Sequence, residues 1–327
     1  MSFWQQLKKP FFVMAPMADV TDAAFRALVA KRGAPDVFWT EFVAADGLYH
    51  TREHRSDTGT TIYGSDSENP LMRDLTFDPA IERSIVGQIF GSNPETIAYA
   101  AKLVAELGFD GVDLNMGCPD RSVEKQGAGA AMIKTPEVAQ AVIRAAKTAG
   151  LPVSVKTRVG YNKEILDEWL PAVLAAEPDA VTLHLRTRKE MSLVPARWEL
   201  MPRVVALRDA LSPETRIIGN GDVESVEQGR RLAEETGADG IMIGRGMFGN
   251  PWVFVGRTSE DTPLEEKLEA LVELAHGFEA LTPKKNFSIL KKHIKAFVTG
   301  FSGAAELRAL LMETNSAAEL EQIIQSA

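Results

Sequence analysis

The sequence has almost no cysteine, because Cys118 is the only one in 327 residues. A single cysteine cannot form an internal disulfide, so a reducing cytosol is the expected compartment. The sequence also lacks any apolar run approaching the roughly 18 residues that span a bilayer, which argues against a membrane protein. Residues 1–10 contain no apolar stretch of the kind that a secretory signal requires. We therefore expect a cytoplasmic protein that does not associate with membranes.

Positive charge is in deficit, with 36 Lys and Arg against 45 Asp and Glu and a net charge of −9. Whole-chain acidity repels phosphate, which argues mildly against a nucleic-acid partner. The distribution is uneven, however, since residues 284–308 carry six Lys or Arg and one acid. A local basic face on an acidic body can still bind RNA, so charge alone leaves both possibilities open.

Short apolar runs alternate with longer amphipathic runs along the chain, which is the pattern of an α/β protein. Several amphipathic runs begin with proline, which favours the first turn of a helix. The short apolar runs predict eight strands, at 11–15, 37–41, 85–90, 111–115, 153–157, 180–184, 216–220 and 240–243. The amphipathic runs predict helices that include 94–107, 136–149, 163–176, 202–211 and 223–236. Eight such units over about 250 residues indicate a (β/α)₈ TIM barrel, and less well a doubly wound open sheet.

Two segments depart from this alternation. Residues 42–83 are too long for a simple crossover and contain the strand-like residues 60–63, so we expect them at the rim of an active site. Residues 257–263 are polar and have the character of a linker, and only helical patterns follow them. We therefore predict a catalytic barrel over residues 1–256, and a linker with a small all-helical domain over residues 257–327.

The single cysteine lies where a buried strand opens into a loop, in the run Asp113-Leu114-Asn115-Met116-Gly117-Cys118-Pro119. A structural cysteine is usually a small hydrophobe inside an element, whereas this one stands between Gly and Pro, which impose special backbone geometry. Loops at strand ends are where α/β barrels keep their chemistry. A reactive thiol and an inert packing thiol are both compatible with this local sequence.

Polar residues stand at the ends of five successive predicted strands. They are Gln88, Asn115, Lys156, His184 and Asn220. Each alone could be a hydrogen-bonded core residue, but burying all five without a polar ligand would be costly. Lys156 is the most informative, because an unpaired lysine in a barrel mouth requires an anionic or electron-rich partner.

Glycine-rich turns follow the last two predicted strands, as Gly219-Asn220-Gly221-Asp222 and Gly244-Arg245-Gly246. Barrels commonly hold a phosphate at these two strand ends through backbone N–H groups, and Arg245 can add a charge-assisted bond. A phosphate there, with a lysine at the mouth, predicts flavin mononucleotide (FMN), whose reduced ring carries negative charge that Lys156 would stabilise.

The chain resembles the tRNA-dihydrouridine synthase family over almost its whole length. The most specific shared piece is Asn115-Met116-Gly117-Cys118-Pro119. The other matching pieces are Ala15-Pro16-Met17-Ala18, Thr21-Asp22, Phe25-Arg26, Gln88-Ile89-Phe90-Gly91, Gly127-Ala128-Gly129-Ala130, Val155-Lys156-Thr157-Arg158, His184-Leu185-Arg186-Thr187, Gly219-Asn220-Gly221-Asp222, Ile243-Gly244-Arg245-Gly246, Leu290-Lys291-Lys292-His293 and Gly303-Ala304-Ala305-Glu306-Leu307-Arg308.

The resemblance implies that NADPH reduces bound FMN, and that the reduced flavin passes hydride to C6 of a uracil in tRNA. It implies that Cys118 protonates C5 as the general acid, and a thiol of ordinary pKa, about 8.5, is mostly protonated at neutral pH. It also implies substrate contacts from Asn115 and Arg158. The implied FMN site consists of Pro16, Met17, Ala18, Gln88, Lys156, His184, Asn220, Gly221, Asp222, Gly244 and Arg245.

Three features depart from the family pattern. Members usually carry lysine where this chain has Ser122, so either the neighbouring Arg121 takes over that phosphate contact or the loop serves a different RNA. Leu185 stands where glycine is common, and the insertion at 51–74 is longer than the family leads us to expect. The resemblance therefore specifies the cofactor more closely than the RNA.

The C-terminal region has a basic face beside an apolar stripe with helical spacing. The stripe consists of Phe287, Leu290, Ile294, Phe297 and Val298, and the cations are Lys291, Lys292, Lys295 and, farther along, Arg308. A solvated face on a packed helix is the ordinary interpretation of such charges. The resemblance favours a surface for tRNA phosphates instead.

Two other functions remain as alternatives. An FMN barrel that acts on a small pyrimidine or enone would not need a separate basic helical domain. An RNA-binding protein without catalysis would need neither Cys118 nor Lys156. The sequence thus favours a monomeric flavoenzyme acting on tRNA, with no metal.

Overall fold

The computed structural model describes residues 2–52 and 69–326 of the chain. Within these ranges the strands form one parallel sheet. They are β1 Phe11–Met14, β2 Phe38–Trp39, β3 Val43–Ala44, β4 Ile85–Phe90, β5 Gly111–Met116, β6 Val153–Arg158, β7 Ala180–His184, β8 Arg216–Asn220 and β9 Gly240–Ile243. The predicted strand-like residues 60–63, with most of the 51–74 insertion, lie outside the described residues.

The sheet closes on itself as a barrel. Its strand order is β1-β9-β8-β7-β6-β5-β4-β2, and every pair is parallel. A parallel bridge between Val13 and Val37 joins the two ends of that order. The predicted TIM barrel is therefore confirmed, because a closed parallel sheet with helical crossovers buries both faces of every strand.

The second predicted strand, 37–41, is shorter than predicted: only β2 lies within it, and a further short strand, β3, follows it. β2 and β3 both pair with β4, and Thr40 lies between them. The hydroxyl of Thr40 accepts a hydrogen bond from the backbone N–H of Gln88 at 3.0 Å, in place of a backbone carbonyl. A side chain that takes the place of a backbone carbonyl as hydrogen-bond acceptor interrupts the strand. The apolar periodicity of the sequence does not reveal such an interruption.

Helices follow most strands and begin and end at recognisable residues. Asn93 caps the helix after β4 by accepting from the N–H of Glu95 at 2.9 Å, and Gly237, at φ 78°, ends the helix after β8. The helices are α1 Ala23–Gly33, α2 Ala45–Arg52, α3 Pro70–Arg73, α4 Pro94–Glu106, α5 Arg121–Glu124, α6 Pro136–Lys147, α7 Leu166–Leu174, α8 Met201–Leu211, α9 Val226–Thr236, α10 Leu264–Glu279, α11 Lys291–Phe297, α12 Ala304–Leu311 and α13 Ala317–Ser326.

The C-terminal helices α10 to α13 pack on the barrel around α1. The Phe25 ring of α1 lies 4.9 Å from the His293 ring of α11, between ring centroids. Buried Leu274 and Phe297 belong to the same apolar core as the barrel strands. The core thus continues past residue 256, and the division of the chain at that position stays a prediction.

A buried ion pair also joins the two regions. The Lys285 side chain is 5% exposed, and its ammonium lies 2.5 Å from the Glu41 carboxylate at the end of β2. Asp22 and Asp74 lie 3.8 and 3.9 Å from the same ammonium. Lys285 therefore belongs to the interior, and the basic surface is smaller than the sequence count implied.

Candidate active site

A large cavity opens at the carboxyl ends of the barrel strands, the end where such barrels hold their ligands. Its volume is about 1130 Å³. Nine of the eleven predicted cofactor residues line it, together with Arg158. The nine are Pro16, Met17, Lys156, His184, Asn220, Gly221, Asp222, Gly244 and Arg245. The other two predicted residues, Ala18 and Gln88, do not line it: Ala18 is exposed and Gln88 is fully buried.

Lys156 reaches the cavity without a protein partner. Among residues 2–52 and 69–326, no group accepts a hydrogen bond from its ammonium and no carboxylate pairs with it within 4.0 Å. Burial, together with the nearby Arg158, lowers the pKa of Lys156 to about 8, and Asp113 opposes this shift. A cation held without a partner in a low-dielectric cavity favours an electron-rich or anionic ligand.

His184 is a neutral imidazole. Burial lowers the pKa of His184 to about 2, and the surrounding cations act in the same direction. Arg186 Nη1 lies 3.1 Å from His184 Nε2. Since a guanidinium can only donate, Nε2 must accept and the ring proton belongs on Nδ1. His184 therefore offers one N–H donor and no charge to the cavity.

Asp222 joins two arginines beside the glycine turn. It accepts from Arg186 and Arg245, and from the backbone N–H of Ala196 at 2.8 Å. Burial alone would raise the pKa of Asp222, but the bonds from Arg186 and Ala196 lower it below its ordinary value. Arg186 was part of the recognised motif, yet its role here is visible only in the structure.

The turn after β8 requires glycine at position 221. Gly221 has φ 131°, and a Cβ there would lie 2.6 Å from the Cβ of Ala196. The indole N–H of Trp198 donates to the Gly221 carbonyl at 2.8 Å and holds the turn open toward the cavity. The backbone at this point can therefore approach a ligand that a side chain would exclude.

Cys118 lies on a small apolar cluster of its own. The cluster contains Phe90 and Val123, and the partly buried Phe42 packs beside them. The Phe42 and Phe90 rings meet edge to face at 5.4 Å. Burial raises the pKa of the Cys118 thiol. The protonated form therefore dominates at neutral pH, as a proton donor requires.

A chain of directed hydrogen bonds holds the Cys118 loop. Asp113 accepts from Gln88 Nε2 at 2.7 Å, and Gln88 Oε1 accepts from Asn115 Nδ2 at 3.1 Å. Asn115 Oδ1 then accepts from the backbone N–H groups of Gly117 and Cys118, at 3.1 and 2.9 Å. Because an ionised carboxylate can only accept, Asp113 sets the orientation of both amides.

Arg158 supports the same loop from β6. Its Nε donates to the Gly117 carbonyl at 2.7 Å, and its Nη1 donates to the Met191 carbonyl at 3.1 Å. Burial lowers the pKa of Arg158 to about 10, so it remains a cation at neutral pH. The predicted substrate residue is thus also a brace between the Cys118 loop and the loop after β7.

The loop after Cys118 is braced by a residue that the sequence reading did not select. Arg188 donates to Glu124 at 2.9 and 2.5 Å and to the Pro119 carbonyl at 3.2 Å. Ser122 N–H donates to Asp120 at 2.7 Å, which starts the short helix α5. Arg121 is exposed on this helix. The only sequence signal for Arg188 was its place just beyond the recognised His184 motif.

None of the four predicted RNA-binding cations lines the cavity, and all of them belong to the C-terminal helices. Lys295 is exposed, while Lys291 and Lys292 are half-buried, and the Lys292 ammonium lies 3.7 Å from Asp19. Arg308 donates to the Val298 carbonyl at 2.8 Å, which is a structural contact. The structure therefore groups Lys291, Lys292 and Lys295 on α11 and gives Arg308 a hydrogen bond within the C-terminal region, while the part of all four in RNA binding stays a prediction.

Residues 2–52 and 69–326 contain no group of three or more His, Cys, Asp or Glu side chains arranged to hold a metal ion. No helix in the same ranges is both long and apolar enough to cross a membrane.

Known proteins resemble the chain over nearly its whole length. A family model described as dihydrouridine synthase (Dus) matches residues 13–327. A probable tRNA-dihydrouridine synthase 2 of Bacillus subtilis is 40% identical over 330 residues, covering 99% of this chain and 95% of that protein. A probable tRNA-dihydrouridine synthase of Staphylococcus aureus is 40% identical over 332 residues, with 99% and 94% covered.

Solved structures with low sequence identity share only the fold. Histamine dehydrogenase from Rhizobium sp. 4-9 has a TM-score of 0.50 at 14% identity, covering 86% of this chain and 50% of that one. A 2-naphthoyl-CoA reductase complex has a TM-score of 0.53 at 10% identity, covering 75% and 49%. Both likenesses agree with the barrel architecture.

Proposed function

The chain belongs to the dihydrouridine synthase family, and from that membership we propose that it reduces the C5–C6 double bond of uridine in tRNA, with electrons from NADPH passed through FMN. The observation that carries the proposal is the pairing of Asn115 with Lys156 across β5 and β6. This register places the Cys118 loop beside the unpartnered cation of the cavity. A proton donor and a site for an electron-rich ring thus lie together, as the reaction requires.

The cavity has the chemistry that FMN needs. The open turn at Gly221, with Arg245 and the nearby Gly244, suits a phosphate. Lys156 suits the negative charge of a reduced flavin ring, and the N–H of neutral His184 suits a ring acceptor. Pro16, Met17, Asn220 and Asp222 complete the proposed site, and the exposed Ala18 stands next to it, directly after Met17 in the chain. Gln88 has its amide committed to Asp113 and Asn115, so we assign it to positioning.

The cavity residues would hold FMN, which, when bound and reduced, would supply the hydride for C6 of uracil. Cys118 donates its thiol proton to C5 and is left as a thiolate, which water reprotonates before the next turnover. The apolar contacts with Phe42 and Phe90 keep the thiol protonated until it is used. Hydride and proton together saturate the double bond, and among the protein's own groups only Cys118 changes its charge.

Asn115 and Arg158 each retain one donor for the substrate. Asn115 gives one of its two amide hydrogens to Gln88, and Arg158 uses Nε and Nη1 on backbone carbonyls. No described residue accepts from the second Asn115 hydrogen or from Arg158 Nη2, so both would be available to uracil carbonyl oxygens. Arg121, exposed beside the Cys118 loop, is placed to meet an RNA phosphate. Lys291, Lys292 and Lys295 would bind tRNA farther from the cavity.

The decisive experiment combines purified protein with FMN, NADPH and unmodified tRNA, and measures dihydrouridine by mass spectrometry. Wild type should bind FMN, turn yellow and form dihydrouridine. Cys118→Ala should keep the flavin and its reduction by NADPH, but lose at least about 100-fold in dihydrouridine formation, which is typical of a lost general acid. Ser122→Ala, a change in the same loop that leaves the thiol, is the matched control.

Each part of the proposal can fail separately. A protein that cannot be reconstituted with FMN would remove the flavin. A flavoprotein that reduces uridine monophosphate but not tRNA would be a small-molecule oxidoreductase. Undiminished dihydrouridine in Cys118→Ala would remove Cys118 from the mechanism. Mapping dihydrouridine position by position, in tRNA from cells with and without the gene, identifies the modified uridine.

A further inference from the structure

The loop after β7 exposes apolar side chains at the rim of the cavity. Leu193 is 87% exposed, and Met191 and Val194 are each 39% exposed. Among the described residues, six large apolar side chains are exposed to 39% or more, and three of them lie within positions 191–194. We call Met191, Leu193 and Val194 the apolar tip. Single exposed apolar residues are ordinary, but such a cluster marks a surface that another molecule covers.

The apolar tip is held rigidly rather than left as a loose loop. The Met191 carbonyl accepts from Arg158, and the Val194 carbonyl accepts from Arg186 Nε at 2.6 Å. Arg158 is the last residue of β6 and Arg186 follows β7, and the ends of both strands contribute to the cavity. Met191 also has a φ of 54°, which a non-glycine residue adopts only when its surroundings impose it. The protein thus holds Leu193 in solvent between two anchored carbonyls.

The apolar tip adjoins the place where the substrate base must enter. Ser192, between Met191 and Leu193, lines the cavity itself. Arg158 braces both this loop and the Cys118 loop. Whatever covers Leu193 therefore lies next to the opening through which a uridine would reach Cys118.

The charges around the apolar tip suit a phosphate backbone. Arg121, Lys125 and Lys189 are exposed, and no described residue forms an ion pair with them. Of the local acids, Glu124 pairs with Arg188 and Glu190 pairs with Arg197, whereas Asp120 accepts from Ser122 and has no cation partner among the described residues. Three unpaired cations against one unpaired acid attract a polyanion, whereas a second copy of this acidic chain would be repelled.

We propose that the apolar tip is a wedge for RNA, in which Leu193 packs against the bases that flank the uridine drawn into the cavity. The inference rests on the proposed function. A base inside a stack cannot reach a barrel mouth, so it must be extruded, and an inserted apolar side chain compensates for lost stacking. A rigid leucine beside the opening has the position and chemistry for this task.

The test compares Leu193→Ser with Leu211→Ser. Leu211 is 53% exposed at the end of α8, just before β8 begins, on the opposite face of the barrel. Leu193→Ser should lower kcat/KM for tRNA by about 10- to 100-fold, the range expected from burying one leucine. Leu193→Met should restore most of it. Flavin content, NADPH oxidation by the flavin and thermal stability should match wild type in all three.

A second measurement reports the wedge directly. A tRNA carrying 2-aminopurine next to the mapped uridine should brighten when wild type binds, since unstacking increases the fluorescence of that base. The increase should be smaller with Leu193→Ser and unchanged with Leu211→Ser. Equal brightening and equal kcat/KM for wild type and Leu193→Ser would overturn the wedge.

Failure of the proposed function is distinguishable from failure of the wedge. If wild type forms no dihydrouridine, the proposed function fails. The wedge is then tested by tRNA affinity alone. A weaker affinity in Leu193→Ser supports the wedge, and an affinity equal to that of wild type overturns it. Analytical ultracentrifugation tests whether a second copy of this chain, instead of RNA, covers the apolar tip. A wild-type dimer that becomes a monomer on Leu193→Ser would show that a second copy covers this surface, which also overturns the wedge.

Discussion

At the scale of single residues, the site depends on how Asp113 orients its neighbours. The carboxylate is fully buried, and Ser154 and Gln88 both donate to it, at 2.6 and 2.7 Å. The side-chain amides of Gln88 and Asn115 then connect Asp113 by hydrogen bonds to the backbone of the Cys118 loop. The motif around Cys118 was recognisable from sequence, but the role of Asp113 was not, because Gln88 reaches it from a different strand.

The ionisation of Asp113 should appear in the stability of the protein. Burial raises the pKa of Asp113 from 3.8 to about 6. A carboxyl whose folded pKa is raised contributes stability below about pH 4 and loses it as the pH rises to about 6, a change of about 3 kcal/mol. Asp113→Asn cannot ionise, so its melting temperature should rise relative to wild type between pH 4 and pH 7.

The measurement is a pair of thermal unfolding series over that pH range. Taking the difference between variant and wild type cancels the titration of every other group. A difference that stays constant with pH would mean that Asp113 is not a buried, ionising carboxyl of this kind. Ser154→Ala is a suitable control, since it removes one hydrogen bond and leaves the carboxyl in place.

At the scale of elements, α11 has two faces with separate roles. Ile294 and Phe297 are buried in the core, as the apolar stripe predicted. His293 is also buried, between the Phe25 and Phe248 rings, and burial lowers the pKa of His293 to about 3, so it is neutral. The same helix presents Lys295 to solvent. Periodicity predicted the division into faces, and only packing revealed that the buried face touches the cavity residue Phe248.

Reversing the charges on α11 should weaken tRNA binding without altering the flavin site. We expect Lys291→Glu, Lys292→Glu and Lys295→Glu together to lower tRNA affinity at fixed salt and to reduce the slope of log affinity against log salt by about two to three, one unit for each phosphate contact. Flavin absorbance should be unchanged. Titration of labelled tRNA at several salt concentrations measures both quantities.

The matched control reverses three cations on the outer barrel helices. Lys102 of α4, Arg144 of α6 and Arg230 of α9 are exposed, and changing them to Glu alters net charge by the same amount. If this control weakens tRNA binding as much as the α11 variant, the effect is one of total charge. The RNA surface on α11 would then be ruled out.

At the scale of the whole molecule, Lys285 connects the C-terminal helices to the barrel mouth. Its ammonium is enclosed by Glu41 and Asp22 from the barrel, with Asp74 farther out. Burial raises the pKa of Glu41 and of Asp22, while Lys285 lowers both. The two regions are therefore joined by an ion pair as well as by the shared core.

Removing the Lys285 cation should destabilise the fold strongly. Lys285→Met leaves buried carboxylates without their partner, which costs about 3–5 kcal/mol for a buried pair. The loss should grow as the pH rises, because the acids that remain are protonated at low pH and charged at high pH. Urea unfolding at pH 5 and pH 8 measures it, and Lys284→Met, at the exposed neighbouring position, should be neutral. Equal stability of the two variants would contradict the ion-pair role.

The sequence by itself determined the barrel and the location of its site. Eight apolar runs with crossovers admit few arrangements that bury every strand, and polar residues at their carboxyl ends must meet at one mouth. For the same reason Lys156, His184 and Asn220 could be selected without coordinates. The Asn115–Pro119 motif added the cysteine loop.

Only the tertiary structure decided how those residues are held and which charges are available. Lys285 and Lys295 look alike in sequence, yet one is buried against Glu41 and the other faces solvent. No sequence pattern predicted the roles of Arg188 and Leu193, because these roles depend on contacts between loops that follow different strands. Periodicity reports which face of an element is buried, whereas the partner of a buried charge or an exposed leucine depends on chain segments that folding brings together from far along the sequence.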